Sequence, residues 1–116
     1  MGELVVKRVY DEAADDDGFR VLVDRLWPRG VSKERSRLDE WLKSAAPSAD
    51  LRTWWNHDPE RMDEFAERYE AELDEGDALA HLRALLAEHA RVTLLYGARD
   101  PQINHARVLR DAVLRA

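Results

Sequence analysis

No cysteine occurs among the 116 residues of this chain. That removes disulfides, thiolate nucleophiles and cysteine-ligated zinc at a stroke. Glycine and proline are sparse, with five and four residues, too few for a collagen-like or low-complexity chain. Apolar residues never run beyond a few in succession, so no segment reads as a membrane-spanning helix, which needs about 20. The start, Met1-Gly2-Glu3-Leu4, has neither the basic nor the apolar stretch of a secretory leader. Gly2 opens no myristoylation signal, because no Ser or Thr stands at position 6. The expectation is a cytoplasmic protein without a membrane partner.

What remains is a chain with 45% hydrophobic and 36% charged residues, the composition of a folded domain rather than a disordered one. Its length suits a single domain over residues 1–116 that buries a core without cross-links. A net charge of −6 disfavours nucleic acid, where phosphate neutralisation calls for a basic face. The charge is uneven. From Arg20 to Arg37 six bases stand against two acids, whereas from His57 to Asp77 ten acids stand against two bases. The acidic stretch reads as a solvated helix face. The basic one is broken by Trp27, Pro28 and Gly30 and carries no helical stripe.

Leu4–Tyr10, Phe19–Asp24 and Val92–Tyr96 are rich in β-branched and apolar residues and read as strands. The last is apolar almost throughout, as a central strand covered on both faces would be. Ser32 is placed to cap a short helical turn. Leu38, Trp41, Leu42 and Ala45 have the spacing of an amphipathic helix stopped by Pro47. Ser48 then caps a short helix with Leu51, Trp54 and Trp55. Asp58-Pro59 opens a longer one through Phe65, Tyr69 and Leu73, closed by Gly76. Asp77 caps a helix bearing Leu79, Leu82 and Leu86, and a final helix runs through Ala106, Leu109 and Val113 after a short loop, Gly97 to Asp100. A helical crossover from Val21–Val23 to Val92–Tyr96 implies parallel pairing. The fold class expected is a small three-layer α/β domain with a short, mostly parallel sheet flanked by helices. Three strands make a small sheet, so a further strand could hide in a segment read as helical, or a second chain could cover an edge.

In such sheets ligands bind beyond the carboxyl ends of the strands. Two of those ends are polar here: Asp24-Arg25-Leu26-Trp27-Pro28-Arg29 with Lys33, and Gly97 to His105. Guanidinium groups opposite a helix start form a natural anion site. Arg25, Trp27, Arg29, Lys33 and Asn104 are therefore the candidate substrate-binding residues, and His105 and Asp24 the candidate acid–base pair. Each also has a plainer reading: Asp24 and Arg25 as a structural ion pair, Asn104 as a helix cap, Trp27 as core, Arg29 and Lys33 as surface charge. The four histidines form no H-x-x-x-H pair, and no dinucleotide, phosphate-loop or nucleophile-elbow motif occurs. No metal and no cofactor is expected.

The run Val21-Leu22-Val23-Asp24-Arg25-Leu26-Trp27-Pro28-Arg29-Gly30 resembles the signature of the DUF488 family, in its short YeaO-like branch. Trp41-Leu42-Lys43 with Ala46-Pro47-Ser48, Leu51-Arg52-x-Trp54, His57-Asp58-Pro59 and Phe65-x-x-Arg68-Tyr69-x-x-Glu72-Leu73 carry the resemblance onward. Val92–Tyr96 and Asn104-His105-Ala106 complete it, from Val5 to Leu109. The family name denotes unknown function. The resemblance implies that longer relatives hold a Cys-His-Arg triplet where this chain has Asn104-His105-Ala106, so His105 persists without the thiol. Two functions follow: a small enzyme acting on a phosphate- or nucleotide-like anion, or a non-catalytic module that senses such a ligand or docks a protein partner. Nucleic-acid binding through the basic stretch is a third, and the unpaired sheet edge leaves room for a homodimer.

Overall fold

The apolar segments near the two ends of the chain come together as one sheet. The computed structural model describes residues 2–115, and among these are four strands: β1 (Glu3–Arg8), β2 (Phe19–Leu22), β3 (Glu40–Trp41) and β4 (Arg91–Tyr96). All neighbours pair in parallel, in the order β1-β4-β2-β3. Five helices accompany them: α1 (Lys33–Ser36), α2 (Ala49–Trp55), α3 (Met62–Glu75), α4 (Ala78–Glu88) and α5 (His105–Leu114). The domain is thus a small α/β fold with a parallel sheet. Strand β4 lies at its centre, with every residue from Val92 to Tyr96 buried, which accounts for its nearly continuous apolar sequence.

Side chains alternate across the sheet, and the two faces are unequal. Val21, Val23, Val92, Leu94 and Tyr96 face the larger core, where Trp55, Phe65, Tyr69, Leu82 and Leu109 of helices α2–α5 meet them. Leu22 and Leu95 face the other way, into a small cluster with Val9 and Val31 that Trp27, Leu38 and Trp41 cover. That second layer is thin: helix α1, a single 3-10 turn at Asp15–Asp17, and loops. It also holds a buried charged group. Arg20 donates to the Ser36 carbonyl through Nε and Nη2, at 3.0 and 2.7 Å, and pairs with Asp17.

Three expectations need correction. The segment 38–45 is not a helix. Its middle is β3, with Val21 opposite Glu40 and Leu22 opposite Trp41, followed by a 3-10 turn at Lys43–Ala45. The free side of β2 offers backbone partners, and Leu42 N–H donates to Leu22 O at 2.9 Å. Extension also sends Trp41 to the thin layer and Ala45 to the large core, so tertiary pairing overrides the helical spacing. Asp77 precedes α4 without a side-chain cap bond. The last loop is longer than expected, because α5 begins only at His105, where Asn104 supplies the cap.

Candidate functional site

Parallel pairing puts the carboxyl ends of β1, β2 and β4 at one edge of the sheet. Val23 N–H still donates to Leu95 O at 3.0 Å, so the chain leaves the sheet at Asp24, directly beside Gly97. The Asp24 carboxylate accepts the Gly97 N–H through Oδ2 at 2.9 Å. A Cβ at position 97 would stand only 2.9 Å from that oxygen, so glycine is what permits this approach.

Asn104 fixes the next element. Its Oδ1 accepts from Arg107 N–H at 3.1 Å and its Nδ2 donates to Asp100 O at 3.0 Å, tying the loop to the first turn of α5. His105 is thereby held against the end of β2. Its Nε2 donates to Val23 O at 3.0 Å and lies 3.3 Å from Asp24 Oδ1. The proton on Nε2 points at the carbonyl, so Oδ1 receives no hydrogen bond of its own. Burial pushes the His105 imidazole below its ordinary value, against the pull of Asp24 and the Val23 carbonyl. Burial pushes the Asp24 carboxyl above its ordinary value, although His105, the Gly97 N–H, Arg52 and His57 favour its charge.

Helix α2 supplies the facing wall. Ser48 caps it, its Oγ accepting from Leu51 N–H at 3.2 Å. Ser48 is itself gripped by Glu72 of α3, whose carboxylate accepts from the Ser48 N–H and Oγ–H at 2.8 and 2.6 Å. Trp55 is 1% exposed, stacks on Phe65 with ring centroids 3.8 Å apart, and meets His57 at 4.6 Å. Asn56 and His57 have φ of 49° and 54°. Two successive left-handed residues end the helix and turn the His57 ring back onto Trp55.

Between these elements lies a cavity of about 130 Å³. Asp24, Arg25, Leu26, Ala46, Pro47, Arg52, Trp55, His57, Ala98 and His105 line it. Arg25 reaches only the Pro47 carbonyl, at 3.4 Å. Neither Arg25 nor Arg52 enters an ion pair among the described residues. Two guanidinium groups thus face one carboxylate, and the wall is net cationic. Among the described residues, the buried side-chain atoms without a hydrogen bond are Asp24 Oδ1 and Trp55 Nε1. Both residues belong to this wall, and each such atom is a cost that a fold rarely carries without cause. A second cleft of about 380 Å³, lined by His57, Gly97, Ala98, Arg99, Asp100 and Ile103, adjoins the first through His57 and Ala98.

Of the residues singled out in the sequence, the fold brings Asp24, Arg25 and His105 to one cavity. Asn104 stands behind them as the α5 cap. Trp27 lies in the thin layer, its Nε1 donating to Val31 O at 2.6 Å and its ring edge-on to Trp41 at 5.3 Å. Arg29 and Lys33 are exposed and do not line the cavity. Arg52, Trp55 and His57 also line the cavity, and the sequence reading does not place them there. In the sequence they stand in or beside Leu51-Arg52-x-Trp54 and His57-Asp58-Pro59, two of the strings that carry the family resemblance. Among the described residues no three His, Asp or Glu side chains converge as a metal site requires, and no helix is long and apolar enough to cross a membrane.

Comparison with known proteins agrees with the resemblance read from the sequence. Residues 3–116 match the family model DUF488-N3i, described as the inactive DUF488-N3 subclade. An uncharacterised protein of Mycobacterium tuberculosis is 49% identical over 104 residues, covering 90% of this chain and 87% of its own. The uncharacterised protein YeaO of Escherichia coli is 45% identical over 105 residues, covering 90% of this chain and 91% of its own. No solved structure matches the chain significantly.

Proposed function

Because the chain belongs to the DUF488 family, in the subclade described as inactive, we propose that its strand-end cavity binds a small anion without transforming it. The observation that carries this reading is the cavity wall, where Arg25 and Arg52 stand free of ion pairs around a single carboxylate. Guanidinium forks with no protein partner are suited to phosphate or carboxylate. The size is consistent. A dry cavity near 150 Å³ holds a benzene molecule, so about 130 Å³ accommodates a phosphate or small carboxylate. A nucleotide or sugar phosphate would place only its anionic group there and extend into the adjoining cleft lined by Arg99 and Ile103.

Binding is favoured over turnover by the absence of a nucleophile. The chain has no cysteine, and His105, the candidate base, spends its Nε2 proton on the Val23 carbonyl. One observation keeps an enzymatic reading alive: Asp24 and His105 are a buried pair whose proton affinities are shifted in opposite directions, an arrangement that elsewhere marks acid–base assignments.

Thermal unfolding against phosphate, sulfate, nucleotides and sugar phosphates tests the proposal. A ligand at ~100 times its dissociation constant should stabilise the wild type by roughly 2.7 kcal/mol. Arg25→Ala and Arg52→Ala should lose most of that gain. If no anion shifts the transition, the anion site falls and a protein partner becomes the leading reading. Turnover of the stabilising ligand, lost in His105→Ala with affinity retained, would replace the binding module with an enzyme.

A further inference from the structure

We propose that this site prefers anions that carry a planar ring, such as a nucleoside phosphate, and that the ring stacks on His57. The inference rests on the anion-binding reading above and names the ligand class within it.

His57 is the outer end of a column of rings. Phe65 and Trp55 stack with centroids 3.8 Å apart and planes 15° from parallel, and His57 follows on Trp55 at 4.6 Å and 30°. Phe65 and Trp55 are buried, whereas His57 is exposed. One face of the imidazole therefore rests on the core while the other is open. Trp55 lines the first cavity but not the adjoining cleft, and His57 lines both. The cleft thus meets the imidazole on the side away from Trp55.

The backbone holds the ring in that place. One left-handed residue, Asn56, is enough to end helix α2, and its N–H donates to Arg52 O at 2.9 Å. The second, His57 at φ 54°, is not needed to stop the helix and costs conformational energy in a residue with a side chain. Its effect is to fold the imidazole back onto Trp55, and Asp58 N–H locks the turn on Trp55 O at 3.0 Å.

The surroundings suit a flat ring better than a bare sugar. Gly97, Ala98 and Ile103 give the cleft small and apolar walls, and its volume is about 380 Å³. A cavity of roughly 150 Å³ already encloses benzene. A ring laid on His57 lengthens the column by one member, and such stacking works for any base because every base has a π-face. A ribose has no such face to offer. The two spaces share His57 and Ala98, so a phosphate attached to the stacked base turns towards Arg25 and Arg52.

Adenosine monophosphate, ribose 5-phosphate and inorganic phosphate separate the ring from the anion, and calorimetric titration gives the affinity of each. Expected is at least about tenfold tighter binding of adenosine monophosphate than of ribose 5-phosphate, within the range of one base–aromatic stack. In proton NMR the His57 ring signals, one of four histidine sets, are identified by their loss in His57→Ala. They should move upfield with adenosine monophosphate and not with ribose 5-phosphate. His57→Ala should bring the ratio of affinities towards one while phosphate still binds, and His57→Phe, which restores a ring without the nitrogens, should recover it. Equal affinities in the wild type overturn the ring preference and leave the anion site standing. A preference that survives His57→Ala overturns the stacking on His57. No response to any of the three ligands overturns both readings. Should His57→Ala fail to fold, His57→Phe supplies the assignment, and the wild-type affinities and shifts decide.

Discussion

At Asp24 and His105 burial acts on both members of one contact, in opposite senses. The His105 imidazole is held below its ordinary value of 6.5. As pH falls through 6.5, the unfolded chain takes up a proton that the native chain refuses, and stability drops. Above that value the histidine imposes no penalty. Between pH 7 and about 5.5 the wild type should lose stability faster than His105→Gln, by at most about 1.4 kcal/mol per pH unit for one proton, as urea unfolding at the two pH values would show. Asp24 runs the other way. Its carboxyl is held above the ordinary 3.8, so its contribution is fully present below 3.8 and fades as pH rises through the raised value. At neutral pH Asp24→Asn, which spares the Gly97 bond, should melt no lower than wild type. Asp24→Ala gives up that bond and should cost about 1 kcal/mol. Asp24, Arg25 and His105 were legible as neighbours because the first two end an apolar strand and the third opens the helix that follows the last strand. Arg52 and His57 were not, because a helix face and a loop give no hint of which cavity they border.

Helix α2 has only seven residues and would not persist alone in water. Its existence depends on the Ser48 cap and on the Glu72 carboxylate that holds Ser48 from helix α3. Ser48→Ala should cost about 1 kcal/mol in urea unfolding and weaken phosphate binding several-fold, because Arg52 and Trp55 ride on this helix. The turn before it is secured from the core, where the buried Tyr69 hydroxyl donates to Ala45 O. Tyr69→Phe should cost about 1–2 kcal/mol by leaving that carbonyl unmet. The caps at Ser32, Ser48, Asp58 and Asn104 follow from local rules, and each side chain accepts the expected backbone N–H. Strand β3 follows from none. Two residues cannot display a period, and Leu38, Trp41, Leu42 and Ala45 fit a helix until β2 offers its free edge.

Across the whole molecule the basic stretch from Arg20 to Arg37 divides between environments. Arg20 is buried in the thin layer against Asp17 and Ser36, Arg25 joins the cavity, and Arg37 pairs with Asp15 at the surface. Arg20 is 3% exposed, and its guanidinium relies on Asp17 for charge compensation. Burial alone would raise the Asp17 carboxyl, but the Ala14 N–H, Lys7 and Arg20 outweigh it and hold it below its ordinary value. Asp17→Ala should therefore cost roughly 3 kcal/mol, the usual penalty of stranding a buried charge, a sizeable share of the 5–15 kcal/mol typical of a domain. Chemical denaturation would register it.

Strand β4 and the caps at Ser32, Ser48, Asp58 and Asn104 were determined by the sequence itself, because each rests on side-chain type within a few neighbouring residues; the parallel crossover was legible from the order of the elements along the chain. Only the tertiary structure decided which face of the sheet received the thick helical layer, that residues 40–41 joined β2, and that Arg52, Trp55 and His57 closed the cavity begun by Asp24 and His105. The physical reason is range. Periodicity and capping act over one or two turns of chain, whereas a strand edge or a cavity wall exists only after segments dozens of residues apart have packed.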